Sequence, residues 1–176
     1  MIFLKYKTII LIIIALIISL LVKNRNDTVI IPKESIRIRI IANSSSPIDI
    51  EEKIKVKKNV EKELYLLLKN AKNITDAKNV INNNLDKLNL IVEGTTKLNY
   101  NIDFGMNYFP KKVYKGVIYD EGNYESLVIT LGSGSGDNWW CVLFPPLCLL
   151  DENENTKNVE YKFFVQELID KYLTNS

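Results

Sequence analysis

Residues 35–47 read SIRIRIIANSSSP, and within this stretch the periodicity of the chain changes. Ile36, Ile38 and Ile40 alternate with Arg37 and Arg39, the two-residue period of a half-buried strand. Asn43-Ser44-Ser45-Ser46-Pro47 then gives a helix start, with Ser46 as N-cap, Pro47 in the first turn and Asp49 placed to favour the helix dipole. A strand followed directly by a helix fixes the first two elements, and the remainder is read outward from them. Two arginines on one strand face suggest either an anion site or, as the plainer reading, a solvated or partner-facing sheet surface.

The helix predicted after Pro47 buries Ile50, Ile54, Val56, Val60, Leu64, Leu67, Leu68 and Ala71 along one stripe, its lysines and glutamates on the other side. A second helix is expected from a Thr75 cap, with Ala77, Val80, Ile81, Leu85, Leu88, Ile91 and Val92 at helical spacing and Gly94 as its stop. From Lys97 the period returns to two. Strands are expected over 98–104, 113–119, 124–131 and 139–144, with residues 120–123 as a hairpin turn. A last helix over 159–173 turns Phe163, Phe164, Leu168, Ile169 and Tyr172 inward. The order β-α-α-β-β-β-β-α indicates an α+β fold, a mixed or antiparallel sheet with helices packed on one face.

Ahead of this body, residues 8–22 form an uncharged run, TIILIIIALIISLLV, between Lys5 and Lys7 on one side and Lys23 and Arg25 on the other. Fifteen helical residues cover roughly 22 Å, and counting from Ile2 with snorkelling lysines the length approaches the ~30 Å hydrocarbon core. Residues 1–25 are therefore read as a signal peptide or membrane anchor. Without a small-x-small cleavage site, the retained anchor is favoured. Residues 26–34 are a linker, and 35–176 are one globular domain that acts outside the membrane.

Composition excludes several classes. The 176 residues carry a formal net charge of +2, with 47 % apolar and 25 % charged residues. Four cations sit in the first 25 residues; beyond them 19 basic side chains face 21 acidic ones, so no basic footprint for nucleic acid exists. Histidine is absent. That removes Ser-His and Cys-His nucleophile pairs and the commonest zinc ligand.

Residues 132–150, GSGSGDNWWCVLFPPLCLL, concentrate the rare residue types. The glycine loop lacks the Lys-Ser/Thr ending of a phosphate loop and precedes a strand, so it reads as a flexible hairpin connection. Asp151, Asn153 and Asn155 imitate the start of a calcium loop whose Gly and final Glu are missing, so the stretch reads as a solvent loop with no metal expected, a weak calcium site being the minor reading. Cys141 and Cys148 cannot close a zinc site by themselves. They form either a disulfide, favoured in an exported chain, or two buried thiols. Trp139 and Trp140, adjacent on a strand, must point to opposite faces. Phe144, Pro145, Pro146 and Leu147 form a proline-stiffened apolar loop suited to docking, unless the whole segment lies in the core.

The run Gly132-x-Gly134-x-Gly136-x-Asn138-Trp139-Trp140-Cys141-Val142-x-Phe144-Pro145-Pro146-Leu147-Cys148 resembles the hallmark block of the stage II sporulation protein R family of endospore-forming Gram-positive bacteria. Residues 36–44, Ser46-Pro47 and Lys55-Val56-Lys57 resemble its first block, and Gly116 with Glu121-Gly122-x-Tyr124-Glu125-Ser126-Leu127 a third. Ser45 and Ile50 depart from the family pattern, which has an acidic and a polar residue there. The resemblance implies a non-enzymatic signal, exported to the space between the forespore and mother-cell membranes. There it activates a membrane-bound aspartic protease of the mother cell, which processes a sigma factor precursor. Its recognition residues would be Trp139, Trp140, Phe144, Pro145, Pro146 and Leu147, with Cys141 and Cys148 fixing the loop. No cofactor, nucleic acid or small-molecule substrate is implied. The rivals are an exported cell-wall hydrolase using Glu121 and Glu125 as a carboxylate pair, and a passive envelope scaffold.

Overall fold

A computed structural model describes residues 29–147 together with 10, 12–14, 165 and 167–174. The elements are β1 (Val29–Ile30), β2 (Ile36–Ile41), α1 (Pro47–Leu68), α2 (Ile74–Asn82), α3 (Leu85–Thr95), β3 (Tyr100–Phe109), β4 (Lys112–Tyr114), β5 (Val117–Tyr119), β6 (Gly122–Leu131) and β7 (Asn138–Phe144). A helical segment at 165 and 167–169 ends in a wider turn over Asp170–Thr174. The class is α+β, as expected, with mixed strand directions.

The main sheet has the order β3-β6-β2-β7, and a smaller one the order β1-β5-β4. β2 runs parallel to β6 and antiparallel to β7, so the strand read first in the sequence becomes the centre of the sheet. Ile36, Ile38 and Ile40 meet Leu127, Ile129 and Leu131 of β6 and Val56, Val60 and Leu64 of α1 in one aliphatic core. Each such buried side chain contributes roughly 1.5–3 kcal/mol. The opposite face of the sheet is covered by the smaller sheet and the C-terminal segment, where Val29, Ile31, Val117, Val165, Leu168 and Ile169 are buried together.

α1 starts as read: Ser46 Oγ accepts the Asp49 amide at 3.2 Å, with Pro47 following the cap. Ile54, expected in the core, is 54 % exposed, and Lys53 is buried in the core-facing stripe instead. Its ammonium donates to the Asp137 carbonyl at 2.9 Å, which satisfies the buried charge and ties α1 to the end of the main sheet.

Several expectations are corrected. The second helix is two helices, α2 and α3, because Asn82-Asn83-Asn84 holds weak helix formers whose amides compete for the backbone; Asn84 Nδ2 donates to the Val80 carbonyl at 2.8 Å. Its cap is Asn73, whose side chain accepts the Asp76 amide, and the helix runs past Gly94 to Thr95. The strand expected over 113–119 is a hairpin, β4 and β5, turning at Lys115-Gly116, both with positive φ. Residues 120–123 form no hairpin either: β5 and β6 lie in different sheets, and the segment crosses between them. Helices α1, α2 and α3 occupy one face of the main sheet, but its other face has the helical C-terminal segment and a second sheet that the sequence reading left out, so the helices do not all share one face as expected. Most of the expected N-terminal hydrophobic helix, and Phe163 and Phe164, lie outside the described residues. Among the described residues no helix is long and apolar enough to cross a membrane.

Candidate functional site

The tryptophan strand β7 is the edge of the main sheet, beside β2. Reaching that place from β6 obliges the chain to step over the end of β2, because β6 lies on β2's other side. Residues 132–137 make the step, and they are stitched down rather than flexible. Asn43 Oδ1 accepts the Ser133 amide at 2.9 Å, and the Asn43 carbonyl accepts the hydroxyls of Ser133 and Ser135, each at 2.8 Å. Gly136 donates its amide to the Ala42 carbonyl at 3.0 Å. A Cβ on Gly132, at φ +55°, would overlap the Asn43 amide, and one on Gly136 would overlap the Ser44 backbone. The glycines are there for close backbone approach. Asn43 Nδ2 in turn donates to Asp49 Oδ2 at 3.0 Å, joined by the Ser44 hydroxyl. These donors hold the Asp49 carboxyl below the usual aspartate range. The two sequence blocks, 42–49 and 132–137, thus form one clasp.

Beyond the clasp, β7 places Trp139 and Trp140 on opposite faces, as the alternation requires. Trp139 packs on the helix-side core, with Lys57 Nζ 4.6 Å from its ring centre. Trp140 lies on the arginine side, edge-on to Phe109 at 5.5 Å and to Tyr119 at 5.6 Å. Both are half-buried. Residues 142 and 144 of β7 oppose adjacent residues of β2, so Leu143 forms a bulge and Phe144 turns to the same side as Ile36. The Phe144–Pro145 peptide is cis.

The displayed apolar loop is therefore corrected. Phe144 is 1 % and Leu147 2 % exposed, and Pro145 is buried as well; only Pro146 of this group keeps surface. The reason is topological. An edge strand between an aliphatic core and an aromatic one has hydrophobic partners on both faces, so its end folds inward. Phe144 packs edge-on to Tyr172 at 5.1 Å, and Leu147 joins Val142 and Val165 on the other face. Cys141 is a buried free thiol against the helix-side core. Cys148 lies outside the described residues, as do Asp151, Asn153 and Asn155.

The arginine face is not a solvated surface. Arg37 is fully buried, its guanidinium 3.4 Å from the Tyr124 ring centre and within 5.3 Å of those of Phe109 and Trp140. One nitrogen donates to the Asp120 carbonyl at 3.3 Å, while Nε and Nη1 have no hydrogen-bond partner among the described residues. Burial pulls Arg37 below its ordinary value, opposed by Tyr124, Tyr119 and Asp120. Arg39 lies over Phe109 at 4.2 Å and donates to the Tyr108 carbonyl. A strand alternating Ile with Arg cannot by itself reveal that aromatic residues far along the chain will cover the arginines. The only hint was the abundance of Tyr and Phe in the later strands.

Between α1 and the end of β7 lies a groove of about 800 Å³. Leu64, Leu68, Leu143 and Phe144 floor it, Pro146 and Tyr172 stand at one side, and the helix rim carries Lys58, Lys62, Tyr65 and Lys69 together with the paired Lys57 and Glu61. Sequence reading missed it, because it needs α1 and β7 side by side.

Each of the two glutamates considered for a hydrolase has a partner of its own. Glu125 is paired with Lys78 at 2.7 Å, and Glu121 accepts from the Tyr108 hydroxyl at 3.4 Å. Among the described residues no cluster of three or more His, Cys, Asp or Glu could hold a metal ion.

Two comparisons with known proteins span these blocks. The sequence profile described as stage II sporulation protein R matches residues 32–154. The chain is 39 % identical over 158 residues to stage II sporulation protein R of Bacillus subtilis (strain 168), an alignment covering 86 % of this chain and 70 % of that one. No solved structure matches. The profile spans the clasp, the arginine–aromatic face and both sides of the groove up to Pro146, and on that match the chain belongs to the stage II sporulation protein R family.

Proposed function

We propose that this protein is a sporulation signal that is exported from the forespore, by an N-terminal anchor or signal peptide, into the space between the forespore and mother-cell membranes. There it docks on a membrane-bound aspartic protease of the mother cell and shifts that protease toward its active arrangement, so that the sigma factor precursor is processed. The observation that carries this reading is family membership across 32–154, the whole of the clasp and tryptophan strand. A docking signal must bind the active state of its receptor more tightly than the inactive one, since equal affinity shifts nothing.

Within the tryptophan–proline block, Trp139, Trp140 and Pro146 keep surface for a partner, while Phe144, Pro145 and Leu147 are buried. Cys141, a free thiol in this structure, is proposed to be oxidised with Cys148 to a disulfide after export, by a thiol oxidant of the extracytoplasmic space, closing the segment. Intact mass of exported protein is then lower by two hydrogens without reductant than with it, and two alkylatable thiols would refute the pairing.

The test of function is co-expression of the full chain with the protease and its precursor in a host lacking all three. Processing is expected only when this chain is present, and Trp139→Ala is expected to reduce it at equal folded level. A precursor left intact by the wild-type chain, with all three proteins in place, contradicts the reading.

A further inference from the structure

The acidic side chains of α1 are all engaged. Asp49 sits in the clasp, Glu51 and Glu52 meet Lys55, Glu61 meets Lys57, and Glu63 meets Lys87. Lys58, Lys62 and Lys69 have no acidic partner among the described residues. These three lie on one flank of the helix, interleaved with Ile54, 54 % exposed, and Tyr65, 50 % exposed. From 54 to 69 the flank is roughly 22 Å long. It borders the groove whose apolar floor is closed by Leu143 and Phe144. Three uncompensated cations and two exposed apolar side chains beside a recessed apolar floor call for an elongated ligand with negative charge and an apolar anchor.

We propose that this groove binds an acidic, amphipathic peptide segment of a partner protein. One aliphatic or aromatic side chain enters above Phe144 and Leu68, and carboxylates meet Lys58, Lys62 and Lys69. The identification of that partner with the receptor protease rests on the function proposed above; the groove and its ligand chemistry do not. A bilayer fits less well. Its surface reaches protruding side chains, whereas Phe144 and Leu68 lie below the lysine rim, where a side chain projected from a peptide can reach. The apolar anchor supplies affinity, and the lysines supply selectivity and association rate.

The experiment uses the full chain in neutral detergent. The probe is a labelled synthetic helix of roughly 15 residues, leucine on one face and glutamate on the other, long enough to follow the flank. A glutamine-for-glutamate counterpart and phosphatidylglycerol vesicles are the comparison probes. Binding of the glutamate peptide is expected to fall at least about tenfold in Lys58→Gln/Lys62→Gln/Lys69→Gln and with added salt, but not in Lys33→Gln/Lys72→Gln/Lys97→Gln. Equal binding of both peptides overturns the proposal. So does lysine-dependent binding of vesicles without binding of peptide. So does peptide binding that appears only after Asp151→Asn/Glu152→Gln/Glu154→Gln, which would assign the groove to the chain's own acids. In the co-expression assay, undiminished processing by the groove variant removes the groove from receptor contact and leaves the signalling role intact. Lysine-dependent peptide binding without wild-type processing does the reverse.

Discussion

On one side of β2, Ile36, Ile38 and Ile40 are sealed by α1 in a core that is almost wholly aliphatic. One residue along the same strand, Arg37 and Arg39 point the other way, into Phe109, Tyr124 and Trp140. The first face is held by area removed from water, which is indifferent to direction. The second holds a charge that has lost its water and recovers part of the loss from ring faces, roughly 0.5–2 kcal/mol per good contact. The difference separates two roles. The arginine face has its polar groups turned inward and stabilises the fold, while the helix face, where α1 meets the end of β7, is left with cations and a groove.

The comparison is broken most readily at Tyr124. Tyr124→Ala removes the ring closest to the guanidinium and opens a cavity, and should cost about 3–5 kcal/mol. A urea titration reads this as a lower midpoint. Next comes Asn43→Ala, which cuts the Ser133 and Asp49 bonds of the clasp, at about 1–3 kcal/mol in the same titration. Arg37→Met should change stability by less than about 1.5 kcal/mol, since two of its nitrogens have no partner among the described residues and the flexible thioether fills similar space. A loss as large as that of Tyr124→Ala would show that the charge itself, rather than its aromatic cover, holds this face.

The smallest effect is electrostatic. Asp49's carboxyl is lowered by bonds from Ser44 and Asn43, so its contribution is present above the ordinary aspartate range, about pH 4, and is lost as pH falls through the lower folded value. Asp49→Asn should flatten the pH dependence of stability below about pH 4 and leave it unchanged near neutrality. A carboxyl NMR titration locating Asp49 at or above the ordinary value would contradict the bonding described.

Local signals carried through where neighbours in sequence decide the outcome. The Ile-Arg alternation of β2, the Ser46-Pro47 start of α1 and the opposite faces of Trp139 and Trp140 needed nothing remote. Where the outcome depends on distant segments, the sequence was silent. Nothing near Arg37 announces Tyr124. The glycines of 132–136 read as slack, although Gly132 and Gly136 are there to pass Asn43 and Ser44 closely. The β7 bulge that turns Phe144 inward follows from pairing with β2 and not from the Phe-Pro-Pro run. Two misses had local signals: Asn82-Asn83-Asn84 marks the break between α2 and α3, and Lys115-Gly116 marks the β4–β5 turn.

The division of labour between the two faces is tested most directly by precursor processing in the co-expression host, comparing Lys58→Gln/Lys62→Gln/Lys69→Gln with Arg37→Met at matched amounts of folded protein. Processing lost in the lysine variant and retained in Arg37→Met is the predicted result. Retention by the lysine variant with loss in Arg37→Met would place recognition on the arginine face and contradict the account.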